Sequence, residues 1–268
     1  MKLTVLMDNN TYIDQYYYGE PAVCYYIEDG DARILLDTGY SDMFIRNAKA
    51  LQVDLNKVTT IVISHGHNDH TGGLPYLADY IDLSTKTVLA HPDAFKKTCC
   101  DGEDIGSPLS AAQLESICKL TLSNKPVKIS DHIIFLGEIP AYNKFENRKP
   151  IGVVCGNATT YDDIVMDDTA LVYKSDKGLF IITGCSHSGI CNIIEHAKIV
   201  CNENKVLGVI GGFHLFEASS QLKKTIQYFK ENNLSELYPC HCVSFIAKAE
   251  IHRHIPIKEV GVGMIIEI

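Results

Sequence analysis

Ser64-His65-Gly66-His67-Asn68-Asp69-His70-Thr71-Gly72-Gly73 places three imidazoles and a carboxylate within six residues, directly after the apolar run Thr60-Ile61-Val62-Ile63. The run reads as a buried strand, so the donors emerge together at its end. Side chains two apart in extended chain point the same way, which lets His65 and His67 chelate one ion. A turn at Asn68 then swings Asp69 and His70 toward a second ion, and Gly72-Gly73 opens a helix. Neutral imidazoles and a carboxylate suit zinc, iron or manganese, and two ligand pairs suit ions about 3.5–4 Å apart. The plain alternative is a polar loop whose histidines serve solubility.

Outward from that loop, Lys2 to Met7 reads as a strand, and the runs Ala22–Ile27 and Arg33–Leu36 read as a hairpin turning at Asp29-Gly30-Asp31. The hairpin delivers Asp37 to the edge where the histidines emerge. Asp37 either caps a helix starting near Ser41 or supports the metal loop through hydrogen bonds. Thr87–Ala90 is a further strand, and His91 at its end reads as an ordinary loop histidine. Two stretches, near 99–126 and 137–168, lose periodicity except for a short helix at Ser110–Leu120 and short strands at 127–136; they read as insertions covering a substrate pocket. Cys99 and Cys100 have no second pair at metal spacing and read as bystanders. Lys144, Arg148 and Lys149 form a local basic cluster that reads as a solvated turn.

The second half repeats the plan. A hairpin over 169–182 ends in Gly184-Cys185-Ser186-His187-Ser188-Gly189, the strand Lys205–Ile210 ends in Gly211-Gly212-Phe213-His214, and a short strand ends in Pro239-Cys240-His241-Cys242. Helices are expected after each. Two strand-rich halves with helices outside imply an α/β fold, a four-layer αββα sandwich in one domain spanning 1–268. The first loop supplies four donors, too few to complete two metal sites, which makes ligands of at least two of His187, His214 and His241. At Gly211 and Gly212 the backbone can approach a ligand closely, so amides there with His214 read as an anion site, against a glycine turn required only by packing.

The chain carries 33 acidic and 24 basic residues, a formal charge of −9, which excludes a broadly basic nucleic-acid face. The start Met-Lys-Leu-Thr-Val-Leu-Met has no signal-peptide character, and no apolar run reaches membrane-spanning length. The ten cysteines are therefore expected reduced in a cytoplasm.

The HxHxDH pattern of His65, His67, Asp69 and His70 resembles the signature of the metallo-β-lactamase-fold superfamily. That resemblance implies two divalent metal ions, zinc foremost with iron or manganese as alternatives. It also implies an Asp at the place of Asp37 that steadies the loop, and a late histidine, here His241, completing the second ion. Where the family has a bridging Asp, this chain has Cys185, with His187 two residues on. Gly-Cys-Ser-His-Ser-Gly-Ile, Gly-Gly-Phe-His-Leu and Pro-Cys-His-Cys are similar to the branch labelled 7,8-dihydropterin-6-methyl-4-(β-D-ribofuranosyl)aminobenzene 5'-phosphate synthase-like, although Val243-Ser244 replaces the usual Thr-Gly. The implied activity is hydrolysis of a small, phosphorylated substrate by a hydroxide held between the metals, with Asp69 handling its proton and His214 binding the substrate's anion. A metal-binding sensor with little turnover is the alternative. A di-iron redox protein is a further one, whose acidic ligand pattern is not evident here.

Overall fold

Residues 1–155 and 160–268 are described by a computed structural model, and they divide into two units, each with its own sheet and core. The first comprises 1–124, 150–167 and 261–268; the second comprises 125–149 and 168–260.

The first unit is built on a seven-stranded sheet in the order Ile265–Glu267, Lys2–Met7, Cys24–Asp29, Ala32–Leu36, Thr60–Val62, Thr87–Ala90, Lys119–Leu122. The first four of these pair antiparallel, whereas Ala32–Leu36 onward run parallel. Parallel strands covered by helices read as continuous apolar runs, as Ile61-Val62-Ile63 does. The helix Met43–Ala50 presents Phe44, Ile45 and Ala48 to a core shared with Leu35, Ile61, Leu74 and Val88. Because ligand sites of parallel sheets gather at the carboxyl ends of the strands, Asp37, the histidine loop and His91 emerge along one edge.

The two stretches without periodicity contain more order than their sequence displays. Thr98–Cys100 and Glu103–Asp104 from the first join Val153–Cys155 and Thr160–Asp162 from the second in a four-stranded antiparallel sheet. Strands of two or three residues are too short to show alternation, which is why reading for periodicity misses them. The expected helix Ser110–Leu120 is shorter: a Ser110–Gln113 capping box starts Ala111–Ile117, and Lys119–Leu122 turns into an edge strand. The part of the second stretch at 156–159 lies outside the described residues.

The second unit has a six-stranded sheet in the order Glu236–Pro239, Val206–Gly211, Gly178–Thr183, Ala170–Ser175, Ile133–Phe135, Val127–Lys128. Gly178–Thr183, Val206–Gly211 and Glu236–Pro239 run parallel. Their carboxyl ends carry the loops holding Cys185 and His187, then His214, then His241. The helices Ile190–Cys201, Ser220–Glu231 and Phe245–His254 bury Ile193, Ile194, Leu222, Phe229 and Ile251 in its core. Ser219 and Ser244 cap the latter two through the amides of Leu222 and Ala247. Among the described residues, no helix is long and apolar enough to cross a membrane.

Candidate metal centre

In the first unit the strand Thr60–Val62 gives way to a bent loop, and His67, with extended dihedrals, precedes the short helix Asn68–Thr71. The loop sets His65 and His67 on one side: His65 Nε2 and His67 Nδ1 are 3.0 Å apart, and the rings meet edge-on with centroids at 4.7 Å. The following helical turn brings Asp69 back toward them. One donor atom from each of His65, His67 and Asp69 lies within 4.8 Å of the others. His70 sits beside this group, its ring 4.1 Å from that of His65 and its Nε2 3.3 Å from Asp69 Oδ2. Two imidazole nitrogens and a carboxylate oxygen converging in a mostly buried loop are a donor set that fits a divalent cation of the zinc, iron or manganese type.

Asp37 is fully buried and does not cap the helix Met43–Ala50, whose cap position is Asp42. Its Oδ1 accepts from the Ser64 amide at 2.7 Å, its Oδ2 from Ser64 Oγ at 2.7 Å, and Oδ2 lies 2.6 Å from His70 Nδ1. A carboxylate at Nδ1 places the ring proton there and leaves Nε2 as the outward lone pair. Asp37 holds this position with φ of 59°, a left-handed conformation that Asp tolerates better than most residues. Burial by itself lowers the pKa of His70, but the Asp69 and Asp37 carboxylates outweigh it and hold the imidazole well above its ordinary value.

Gly66 sits where no side chain fits, since a Cβ there would lie 2.1 Å from Ala94 O. Its amide donates to Asp167 Oδ2 at 2.7 Å, which pins the loop between His65 and His67. An open cleft starts at Gly66 and His67 and is walled by Lys96, Thr98, Val154 and Tyr161, among others. His91 is buried, and its Nδ1 accepts from the Asp93 amide at 3.2 Å.

In the second unit, Cys185 and His241 are both buried, with Cys185 Sγ 3.2 Å from His241 Nε2. The His187 and His214 rings lie 4.4 Å apart, and His214 meets Phe216 edge-on at 4.8 Å. Ser186, His214 and His241 all adopt positive φ, 57°, 49° and 50°. Such conformations persist where the surroundings enforce them, and they cluster at functional loops. Here Ser186 Oγ donates to Gly212 O at 2.6 Å, and the amide and hydroxyl of Ser188 both donate to Asp168 Oδ2. Asp168 is fully buried, and among the described residues its Oδ1 has no hydrogen-bond partner.

At Gly212 a Cβ would meet Cys242 Sγ at 2.3 Å, and its amide donates to Gly184 O at 2.7 Å. The next helix begins only at Ser220. Packing therefore accounts for Gly212, and an anion at this place would depend on the His214 side chain.

Within the first unit the structure brings together His65, His67, Asp69 and His70 with Asp37, and within the second it pairs Cys185 with His241 and His187 with His214. It adds three acids that sequence reasoning overlooked. Asp167 and Asp168, adjacent in the chain, hold the Gly66 and Ser188 loops respectively. Glu146 accepts from the Cys191 and Asn192 amides at 2.9 Å each, where the helix Ile190–Cys201 begins, and its burial pushes its pKa up. Two sequence signals were present: the acidic pair Asp167-Asp168 just before the apolar strand Ala170–Ser175, and the Phe145-Glu146 dipeptide, which is shared with the branch the chain resembles.

Residues 17–97 match the family model described as the metallo-beta-lactamase superfamily. A relative from Methanocaldococcus jannaschii, 7,8-dihydropterin-6-methyl-4-(beta-D-ribofuranosyl)-aminobenzene-5'-phosphate synthase, is 34% identical over 227 residues, covering 81% of this chain and 77% of the relative. A crystal structure described as a metal-dependent hydrolase of the beta-lactamase superfamily superposes with a TM-score of 0.85 at 29% identity, over 100% of this chain and 99% of the other. Zn(2+)-bound PqqB from Methylobacterium extorquens shares the fold, with a TM-score of 0.56 at 10% identity over 100% of both chains.

Proposed function

The chain belongs to the metallo-beta-lactamase superfamily, and from that premise we propose that it is a dinuclear metal-dependent hydrolase of a small phosphorylated molecule related to pterin phosphates. The observation that carries this reading is the convergence of His65, His67 and Asp69 beside a His70 whose Nδ1 is held by buried Asp37. In the proposed assignment His65, His67, Asp69 and His70, with Cys185, His187 and His241, hold two divalent ions, zinc foremost. Such ions supply Lewis acidity that makes water nucleophilic near neutral pH and stabilises charge developing on a phosphoryl or carbonyl oxygen.

The chain's own residues do the rest. Asp37 fixes the tautomer of His70. The Gly66 amide, held by Asp167, keeps His65 and His67 in register. Asp69 accepts the proton released as water attacks, and His214 donates to the anion of the substrate. The substrate is an anionic small molecule held by local donors, nucleic acid is not a partner, in keeping with the net charge of −9, and the compartment is a reducing cytoplasm in which the ten cysteines stay reduced.

The name of the Methanocaldococcus relative supports a second reading, in which the same residues serve a synthase: the amine of a phosphorylated aminobenzene ribofuranoside displaces a leaving group from the 6-methyl carbon of a dihydropterin and loses a proton, in place of water as the nucleophile. Full-length protein reconstituted with zinc, iron or manganese separates the two. Turnover of phosphomonoesters, phosphodiesters, lactones or thioesters alone supports hydrolysis; turnover only when both a pterin and an aminobenzene ribofuranosyl phosphate component are present supports the synthase. Metal uptake without turnover of either kind would refute both and leave a sensor.

A further inference from the structure

Cys99 and Cys155 lie on neighbouring strands of the small four-stranded sheet. Cys99 is opposite Val153, Thr98 is opposite Val154, and the Cys155 amide donates to Lys97 O at 2.8 Å. The two cysteines are thus diagonal neighbours, two positions out of register, and the period of two in a strand puts them on the same face. Their sulfurs are 3.0 Å apart, the Cys155 thiol donating to Cys99 Sγ. Both are half-buried, so a small oxidant can reach them. The residues beside them, Thr98 and Val154, line the cleft that starts at Gly66 and His67. Cys100 faces the other way by the same alternation and serves as an internal control.

We propose that Cys99 and Cys155 form a reversible dithiol–disulfide site, closed by hydrogen peroxide, that staples the cleft wall beside His67. The chemistry balances in two steps. One thiol attacks peroxide to give a sulfenic acid and one water; the second thiol displaces the hydroxyl from that sulfur, giving the disulfide and a second water. Two thiols are oxidised by two electrons, and one peroxide is reduced to two waters. Diagonal pairs usually have Cα atoms about 7–8 Å apart, whereas a disulfide spans at most about 6.8 Å. Closing the bond draws Thr98–Cys100 and Val153–Cys155 together, which carries Thr98 and Val154 with it and keeps the bond open to reduction by a dithiol. The site stands apart from the metal assignment and does not depend on it.

The test treats the full chain with hydrogen peroxide, then maps peptides without reduction. The expected result is loss of two hydrogens per chain, a cross-link joining the peptide of Cys99 to that of Cys155, and its reversal by dithiothreitol. Cys100→Ser should form the same link, and Cys99→Ser and Cys155→Ser should not. Amide exchange across Thr98–Cys100 and Val153–Cys155 should slow in the oxidised protein. Oxygen addition without a cross-link, a link running through Cys100, or a Cys99–Cys155 link that leaves exchange unchanged would each overturn the proposal.

Discussion

Asp37→Asn isolates what one buried carboxylate does for the histidine loop. The substitution preserves volume and retains one oxygen to accept from the Ser64 amide, so the loop keeps its path. The second oxygen becomes an NH2 group facing His70 Nδ1 and Ser64 Oγ, where Asp37 Oδ2 now stands at 2.6 and 2.7 Å. An amide there donates to Nδ1, which forces the ring proton onto Nε2, the nitrogen expected to ligate. Losing the outer partner of a metal-bound histidine lowers metal affinity about 10–100-fold, or about 1.4–2.7 kcal/mol at tenfold per 1.4 kcal/mol. Competitive zinc titration against a chromophoric chelator reads this directly, with thermal unfolding of the metal-free forms as the control for folding. Asp37→Ala should be worse in both assays, because it takes the carboxylate from the buried Ser64 amide and His70 Nδ1, at about 1–3 kcal/mol for each. Wild-type zinc affinity in a folded Asp37→Asn variant would refute the tautomer argument.

Three further outcomes follow from separate features. If His214 binds the substrate's anion, His214→Ala should raise KM for a phosphorylated substrate several-fold with metal content intact; loss of a metal would make it a ligand instead, and no change in either would leave His214 to packing. If Cys185 ligates metal as a thiolate, its alkylation should accelerate when a chelator is added, and equal rates would remove it from the ligand set. Glu146 has a folded pKa raised by burial, so its contribution to stability is fully present below the unfolded value of about 4.3 and is lost as pH rises through the folded one. The Tm of wild type relative to Glu146→Gln should therefore fall as pH rises from about 4.3, and parallel Tm curves would contradict that sign.

The histidine loop was legible in the sequence because its donors are consecutive and their geometry is local. The two-residue spacing keeps His65 and His67 together, and one helical turn returns Asp69. The strands and helices that frame it were legible for the same reason, as in Lys2–Met7 and the serine-capped helix Ser220–Glu231. What holds the loops in place was not. Asp167 reaches Gly66 across 101 residues, Asp168 reaches Ser188 across 20, and Glu146 reaches Cys191 across 45. No spacing rule links a buried acid to a backbone amide so far along the chain. The small sheet was hidden because its strands are two or three residues long and come from stretches about fifty residues apart. Gly212 was open to two readings because a glycine required by a sulfur at its Cβ position looks, in sequence, like one that admits a ligand.

The most direct test of the central claim is elemental analysis of the purified full chain after reconstitution, alongside His67→Ala and His70→Ala. The account predicts two divalent ions per chain in the wild type and a deficit in each variant, with both variants folded by circular dichroism. A wild-type chain that takes up no metal, or full metal retention in both variants, would contradict it.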